Sequence, residues 1–169
     1  MIFPATLRRL VIALNGCSGP RYFQCGTSGI LPGTIVMEDD ADEVTDCTST
    51  GKPIGIAGCD AHHDLMTAYT AGDRMPVWLL GCGIDIYVKC VDVTTITLVW
   101  GAIIVTADST TINGCGMVKD AYVVLTTANV TANGTERNVN GMAFAIGRAL
   151  GDGSITSSVS RYVPVRLSI

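Results

Sequence analysis

Gly51-Lys-Pro-Ile-Gly-Ile-Ala57 has a near relative close to the end of the chain, Ala145-Ile-Gly-Arg-Ala-Leu150. Both are short apolar stretches built on an Ile-Gly pair, and the glycine lets a second backbone come close or lets a strand bulge. In both an aspartate follows, Asp60 and Asp152, and then a short strand that contains proline, Met75-Pro-Val-Trp-Leu79 and Val163-Pro-Val-Arg-Leu167. The chain reads as one unit written twice.

Working outward, aligning Gly33 with Gly101 brings Val36 opposite Ile104, Met37 opposite Val105, Asp40 opposite Asp108, Val44 opposite Ile112 and Cys47 opposite Cys115. Each block predicts an apolar strand (Thr34–Met37, Ile103–Val105), an acidic or Thr/Ser turn, and a second strand ending at a cysteine. The second copy carries an insertion at 116–140, in which Ala121–Thr126 predicts a strand and Asn129–Thr135 a loop tip. The first copy is longer around Ala61–Arg74, where Asp64–Ala71 predicts a helical turn or two. Between the copies, Gly83–Val93 alternates Ile84, Ile86 and Val88 with Asp85, Tyr87 and Lys89, the pattern of a half-buried strand. Residues 1–28 have no counterpart and predict an N-terminal arm or, alternatively, a first strand packed on the body. The domain is then residues 29–169, made of two related halves, 29–80 and 98–169, with Gly55 and Gly147 as structural glycines of a shared core related by a pseudo-twofold.

The composition fits a β protein. A chain of 169 residues suits one domain, and its 19 glycines, abundant Thr and Val, and few strong helix formers favour strands. The predicted class is all-β, a small barrel or sandwich. Charged residues make up only 15%, against about 25% in ordinary soluble domains, while 48% are hydrophobic, so part of the folded surface is expected to be covered by a partner. A net charge of −4 with no Lys/Arg cluster excludes nucleic acid as the main partner. No apolar run approaches the roughly 20 residues that span a bilayer, so no membrane partner is expected. The opening Met1-Ile-Phe-Pro begins apolar and places its arginines mid-run, unlike a secretory signal, which predicts folding in a cytoplasm. Seven cysteines without a C-x-x-C pair read as small buried hydrophobes, with one or two bridges left open.

Polar chemistry is densest at Cys59-Asp-Ala-His-His-Asp64, the one place where histidines occur. Its spacing matches no usual zinc pattern, and a loop between strands explains it as well. Cys59 or Cys82 with His62 or His63 would make a nucleophile and base, but no third group to orient the histidine is visible in the sequence. Glu38–Glu43 lacks the glycine and the final glutamate of a calcium loop and reads as a hairpin tip. Asn129 and Asn133 fit a glycosylation pattern that matters only in a secreted protein, and Gly147–Gly153 lacks the Lys-Ser/Thr of a phosphate loop. No catalytic residue, cofactor or metal ligand is assigned, and the protein is not expected to be an enzyme.

The ordered set Leu-Pro-Gly-Thr-Ile-Val-Met (31–37), Lys-Pro-Ile-Gly-Ile-Ala (52–57), Met-Pro-Val-Trp-Leu (75–79), Gly-Ala-Ile-Ile-Val-Thr-Ala-Asp (101–108), Ala-Ile-Gly-Arg-Ala-Leu-Gly-Asp-Gly (145–153) and Val-Pro-Val-Arg-Leu (163–167) resembles the capsid cement, or head decoration, proteins of tailed bacterial and archaeal viruses. The likeness covers residues 29–169. It implies a β-rich homo-oligomer, by preference a trimer, made in the host cytoplasm. Its place would be the capsid exterior, where its partner is the major capsid protein. The apolar arm residues Ile2, Phe3, Leu7, Leu10 and Ile12 are the expected capsid or subunit contacts. The arm, the cysteines and the insertion depart from the family pattern, which keeps a turret, fibre or minor capsid role open. A small-ligand or metal-binding β-barrel centred on Cys59–Asp64 is the alternative from another class.

Overall fold

The computed structural model describes residues 19–48, 51–91, 96–106, 113–118, 144–155 and 161–167. These residues are all-β, with no helix among them. Twelve strands follow in order: β1 (Arg21–Cys25), β2 (Ile35–Asp40), β3 (Glu43–Asp46), β4 (Pro53–Ala57), β5 (Arg74–Leu79), β6 (Asp85–Cys90), β7 (Ile96–Leu98), β8 (Ile103–Thr106), β9 (Gly116–Val118), β10 (Ala145–Ala149), β11 (Gly153–Ile155) and β12 (Arg161–Arg166). The predicted strands at 34–37, 75–79, 103–105 and 163–167 are present, and that expected over 83–93 is found at Asp85–Cys90, residues 92 and 93 lying outside the described residues. The strand expected at Ala121–Thr126 and the loop at Asn129–Thr135 lie outside the described residues.

The strands close into two five-stranded barrels, β1-β3-β2-β4-β5 and β6-β9-β8-β10-β12, with β7 and β11 forming a two-stranded sheet. The two barrels have one topology. In each, the first strand runs parallel to the third (β1 with β3, β6 with β9), and every other neighbour is antiparallel. The register repeats as well: Tyr22 faces Pro76 as Tyr87 faces Pro164, and Ala57 faces Val77 as Ala149 faces Val165. Even the irregularity recurs. The β2–β4 ladder slips between Val36/Gly55 and Met37/Pro53, and the β8–β10 ladder slips between Ile104/Gly147 and Val105/Ala145.

The repeat therefore begins one strand earlier than the sequence motifs alone indicate. Within residues 1–28 the alternative reading, a first strand packed on the body, holds for β1, which closes barrel one and is the counterpart of β6, a strand that lies between the two halves as drawn from the motifs; residues 1–18 lie outside the described residues. A second correction concerns the cysteines. Cys25 pairs with Val44 and Cys90 with Gly116, so Gly116 rather than Ile112 is the counterpart of Val44, and Cys47 and Cys115 are not equivalent. The hairpin between β8 and β9 is longer than that between β2 and β3, a difference an ungapped alignment cannot register.

Matching positions fill the two interiors. Phe23, Cys25, Val36, Ala57, Met75 and Val77 line barrel one; Val88, Cys90, Ile104, Ala149, Val163 and Val165 line barrel two. Each fully buried Val, Ile, Phe or Met among them contributes roughly 1.5–3 kcal/mol. An exposed ion pair such as Arg21–Asp42, at 3.1 Å, contributes about 0–1 kcal/mol. Interior packing, and not surface charge, holds the barrels. Leu98 and Ile155 of the small sheet extend the core of barrel two.

One continuous core joins the barrels, because Ile35, Ile56 and Trp78 from the outer face of barrel one belong to the same buried cluster as the interior of barrel two. The joint is anchored by backbone hydrogen bonds: Lys89 N–H donates to Gly33 O at 2.8 Å, and Ile35 N–H to Gly114 O at 2.7 Å. The contact is not reciprocated. Gln24 N–H, the counterpart of Lys89 N–H, bonds within its own barrel to Asp42 O, and Gly101 O, the counterpart of Gly33 O, accepts the Arg148 guanidinium of its own barrel at 3.2 Å. The two copies are thus stacked head to tail, which corrects the expected pseudo-twofold. The helical turns expected over Asp64–Ala71 are absent too. Asp64 Oδ1 accepts the Met66 N–H at 2.9 Å, a local bond that favours a turn over a helix.

Candidate functional site

The histidine loop joins β4 to β5 and is braced from within. Asp60 Oδ1 accepts the N–H groups of His62 and His63, both at 2.7 Å, and lies 2.9 Å from His63 Nδ1. On the other side His63 Nε2 is 3.5 Å from Asp73 Oδ2, and that oxygen also accepts the Thr70 N–H and hydroxyl at 2.7 Å. The imidazole stacks on Tyr69 with ring centroids 3.9 Å apart, and the Tyr69 hydroxyl donates to Gly58 O at 2.9 Å. Partial burial works to raise the Asp60 pKa, but the two N–H donors and the His63 ring outweigh it and hold the carboxyl below its ordinary value. Tyr69 is wholly buried, and its phenol is pushed far upward by desolvation.

Both nitrogens of His63 thus face carboxylates, Asp60 within hydrogen-bond distance and Asp73 at 3.5 Å, so Asp60 is the orienting group that the sequence did not show, and the loop is cross-braced. Among the described residues, no group of three or more His, Cys, Asp and Glu side chains is arranged to hold a metal ion. The cysteines behave as small core residues where they are buried. Desolvation raises the thiol pKa of Cys25, and that of Cys47 to about 11.

Gly55 and Gly147 occupy matching sites on β4 and β10. A Cβ on Gly55 would collide with Trp78 O and lie 2.6 Å from Val77 Cγ1; a Cβ on Gly147 would collide with Arg166 O and lie 2.9 Å from Val165 Cγ1. The glycines are needed where the bulged strand is pressed against the final strand of its barrel. The expected contact residues Ile2, Phe3, Leu7, Leu10 and Ile12 lie outside the described residues.

Two surface features stand out that the sequence motifs did not single out. The first is a cleft of about 280 Å³ on barrel one, lined by Tyr22, Phe23, Gln24, Asp42 and Arg74. Tyr22 is 52% exposed, and Arg21 pairs with the lining residue Asp42 and lies 4.9 Å above the Phe23 ring. The second is the turn into β8, where Trp100 is 66% and Val99 53% exposed, the largest apolar exposure among the described residues of that barrel. Asp152 Oδ1 accepts the Trp100 N–H at 2.6 Å and fixes this turn. A comparison of Leu31-Pro32-Gly33 with Val99-Trp100-Gly101 would have flagged it, since a tryptophan stands where the first copy has a buried proline.

The chain matches no protein-family model and no curated protein.

Proposed function

We propose that this protein is a capsid decoration (cement) protein that binds the outer surface of a major capsid protein lattice and stabilises the head. The observation that carries this reading is the order of the motifs. Leu31–Met37, Lys52–Ala57 and Met75–Leu79 fall on β2, β4 and β5, and their relatives fall on the matching β8, β10 and β12, so the set that resembles the cement family is the framework of both barrels.

The physical requirements are modest. A cement protein needs a rigid body that resists unfolding and a low-charge surface that can be desolvated against the shell. Two closed barrels with one core supply the first, and a composition with 15% charged residues supplies the second. Binding only the assembled lattice stabilises it by linkage, repeated at every site. The protein acts as a homo-oligomer on the capsid exterior, through the arm residues and one end of the barrels. No step of this role calls for catalysis, a cofactor or a metal.

Mass spectrometry of purified virions tests the proposal: the chain is expected among the structural proteins, and its absence there overturns the reading. Replacing His62 and His63 together is expected to leave attachment to capsids intact, since His63 braces a loop. A ligand-binding barrel would lose its ligand instead.

A further inference from the structure

We infer that the protein associates with itself head to tail, the turn Val99–Ile103 of one chain seating in the Tyr22–Asp42–Arg74 cleft of the next and repeating between chains the contact that joins the two barrels within one. This inference stands on the barrel geometry alone and holds whatever the biological setting.

Within the chain, the turn at residues 31–35 of barrel one is the plug. Gly33 and Ile35 bond to Lys89 and Gly114 of barrel two, and a Cβ on Gly33 would lie 2.7 Å from Tyr162 Cε1 and 3.1 Å from Tyr87 O. The socket is therefore built from Tyr87, Lys89, Gly114 and Tyr162. Carried through the shared register, these four positions are Tyr22, Gln24, Asp42 and Arg74 on barrel one. Those residues line the cleft. The cleft is the same socket without its plug.

The matching plug stands uncovered on barrel two. Gly101 has φ 81° where Gly33 has 86°, and both turns close with the same bonds, Gly101 N–H to Ala149 O and Gly33 N–H to Ala57 O. Pro32 and Ile35 are buried, while Trp100 and Ile103 at the matching positions are 66% exposed and half-buried respectively, and Val99 beside them is 53% exposed. Three of the large hydrophobics that face solvent among the described residues, Tyr22, Val99 and Trp100, thus belong to the two unmatched halves of one kind of contact.

Plug and socket also fit where they differ. Gly114 tolerates no Cβ because one would collide with Thr34 Cγ2. The socket on barrel one has Asp42 there, in the same left-handed conformation (φ 61° against 70°), and the plug of barrel two has Ala102 in place of Thr34, with no γ-carbon to collide. Seating the plug parts the Gln24 N–H to Asp42 O bond and turns the exposed Arg148 guanidinium away from Gly101 O, which it meets at 3.2 Å; the two groups released bond to Gly101 O and Ile103 N–H, as Lys89 and Gly114 bond to Gly33 and Ile35. Arg148 and Arg166 stand where Ile56 and Trp78 close the internal joint, so the contact between chains is smaller and reversible. A heterologous contact of this kind closes into a ring or runs on as a filament, according to the rotation it imposes.

Analytical ultracentrifugation of the full chain over a range up to about 100 µM tests the inference, with Trp100→Asp and Tyr22→Asp as variants at exposed positions. The wild type is expected to associate with rising concentration, and each variant alone to weaken association at least about tenfold. Mixed together, the two variants are expected to form a one-to-one dimer and nothing larger, because one keeps a good socket and the other a good plug. A wild type that stays monomeric, variants that associate as it does, or a mixture that stays monomeric would each overturn the inference. Thermal melts matching the wild type show that both variants are folded.

Discussion

The interiors of the two barrels are alike, and their outer faces are not. Cys25 and Cys90, Val36 and Ile104, Ala57 and Ala149, and Val77 and Val165 occupy matching inward positions. On the outer face Ile35, Ile56 and Trp78 are buried, whereas their counterparts are Ile103, half-buried, and Arg148 and Arg166, exposed. Arg166 pairs with Asp85 through two bonds of 2.7 and 2.9 Å across the β12–β6 ladder. The interior is set by the volume a five-stranded barrel can hold. The outer face is set by what lies against it: barrel two for the first copy, water and any partner for the second.

The most disruptive test of this likeness is Gly55→Val against Gly147→Val. Each places a side chain on a carbonyl of the last strand, and each is expected to cost about 3 kcal/mol or to prevent folding. Calorimetry showing unchanged melting temperatures for both would break the equivalence of the barrels. Phe23→Ala comes next, at about 3–5 kcal/mol in chemical denaturation, and should exceed Val88→Ala at the matching position, because Val88 removes fewer buried atoms.

Asp60→Asn tests the brace, which barrel two has no counterpart for among its described residues. A carboxylate whose pKa is depressed by folding stabilises the protein above its unfolded pKa of about 3.9, and that stability is lost as pH falls through the lower folded value. The variant is expected to be weaker at pH 7 by about 1 kcal/mol and to show a flatter decline below about pH 4, read from denaturant melts across pH. Asp42→Gly is the gentlest change. Losing the exposed Arg21 pair and relieving a left-handed aspartate nearly cancel, so stability should move by less than about 0.5 kcal/mol while self-association in the centrifuge strengthens.

Much of this fold is legible in the sequence because the constraint is local. Ile54-Gly55 and Ile146-Gly147 announce the bulged strand of each copy, and the alternation from Ile84 to Lys89 announces β6. What stays hidden depends on residues far apart. Arg21–Cys25 and Asp85–Cys90 share only Tyr22/Tyr87 and Cys25/Cys90, so their equivalence emerges only from pairing with β5 and β12. A hairpin of different length conceals the match of Val44 to Gly116. The brace is hidden for the same reason, since Asp73 reaches His63 only after the intervening turn folds back. Nor can a sequence repeat say how its copies stack, because the same interiors serve a twofold or a head-to-tail pair equally well.

The closure of barrel one has a consequence for synthesis. All five of its ladders lie between Arg21 and Leu79, so the barrel can close on the ribosome before most of barrel two is translated. Until that second barrel arrives, Ile35, Ile56 and Trp78 lie bare on a finished domain. The nascent chain therefore passes through a stage in which its most adhesive surface is displayed, and the order of translation makes its own second half, tethered beside it at high effective concentration, the first partner to reach it.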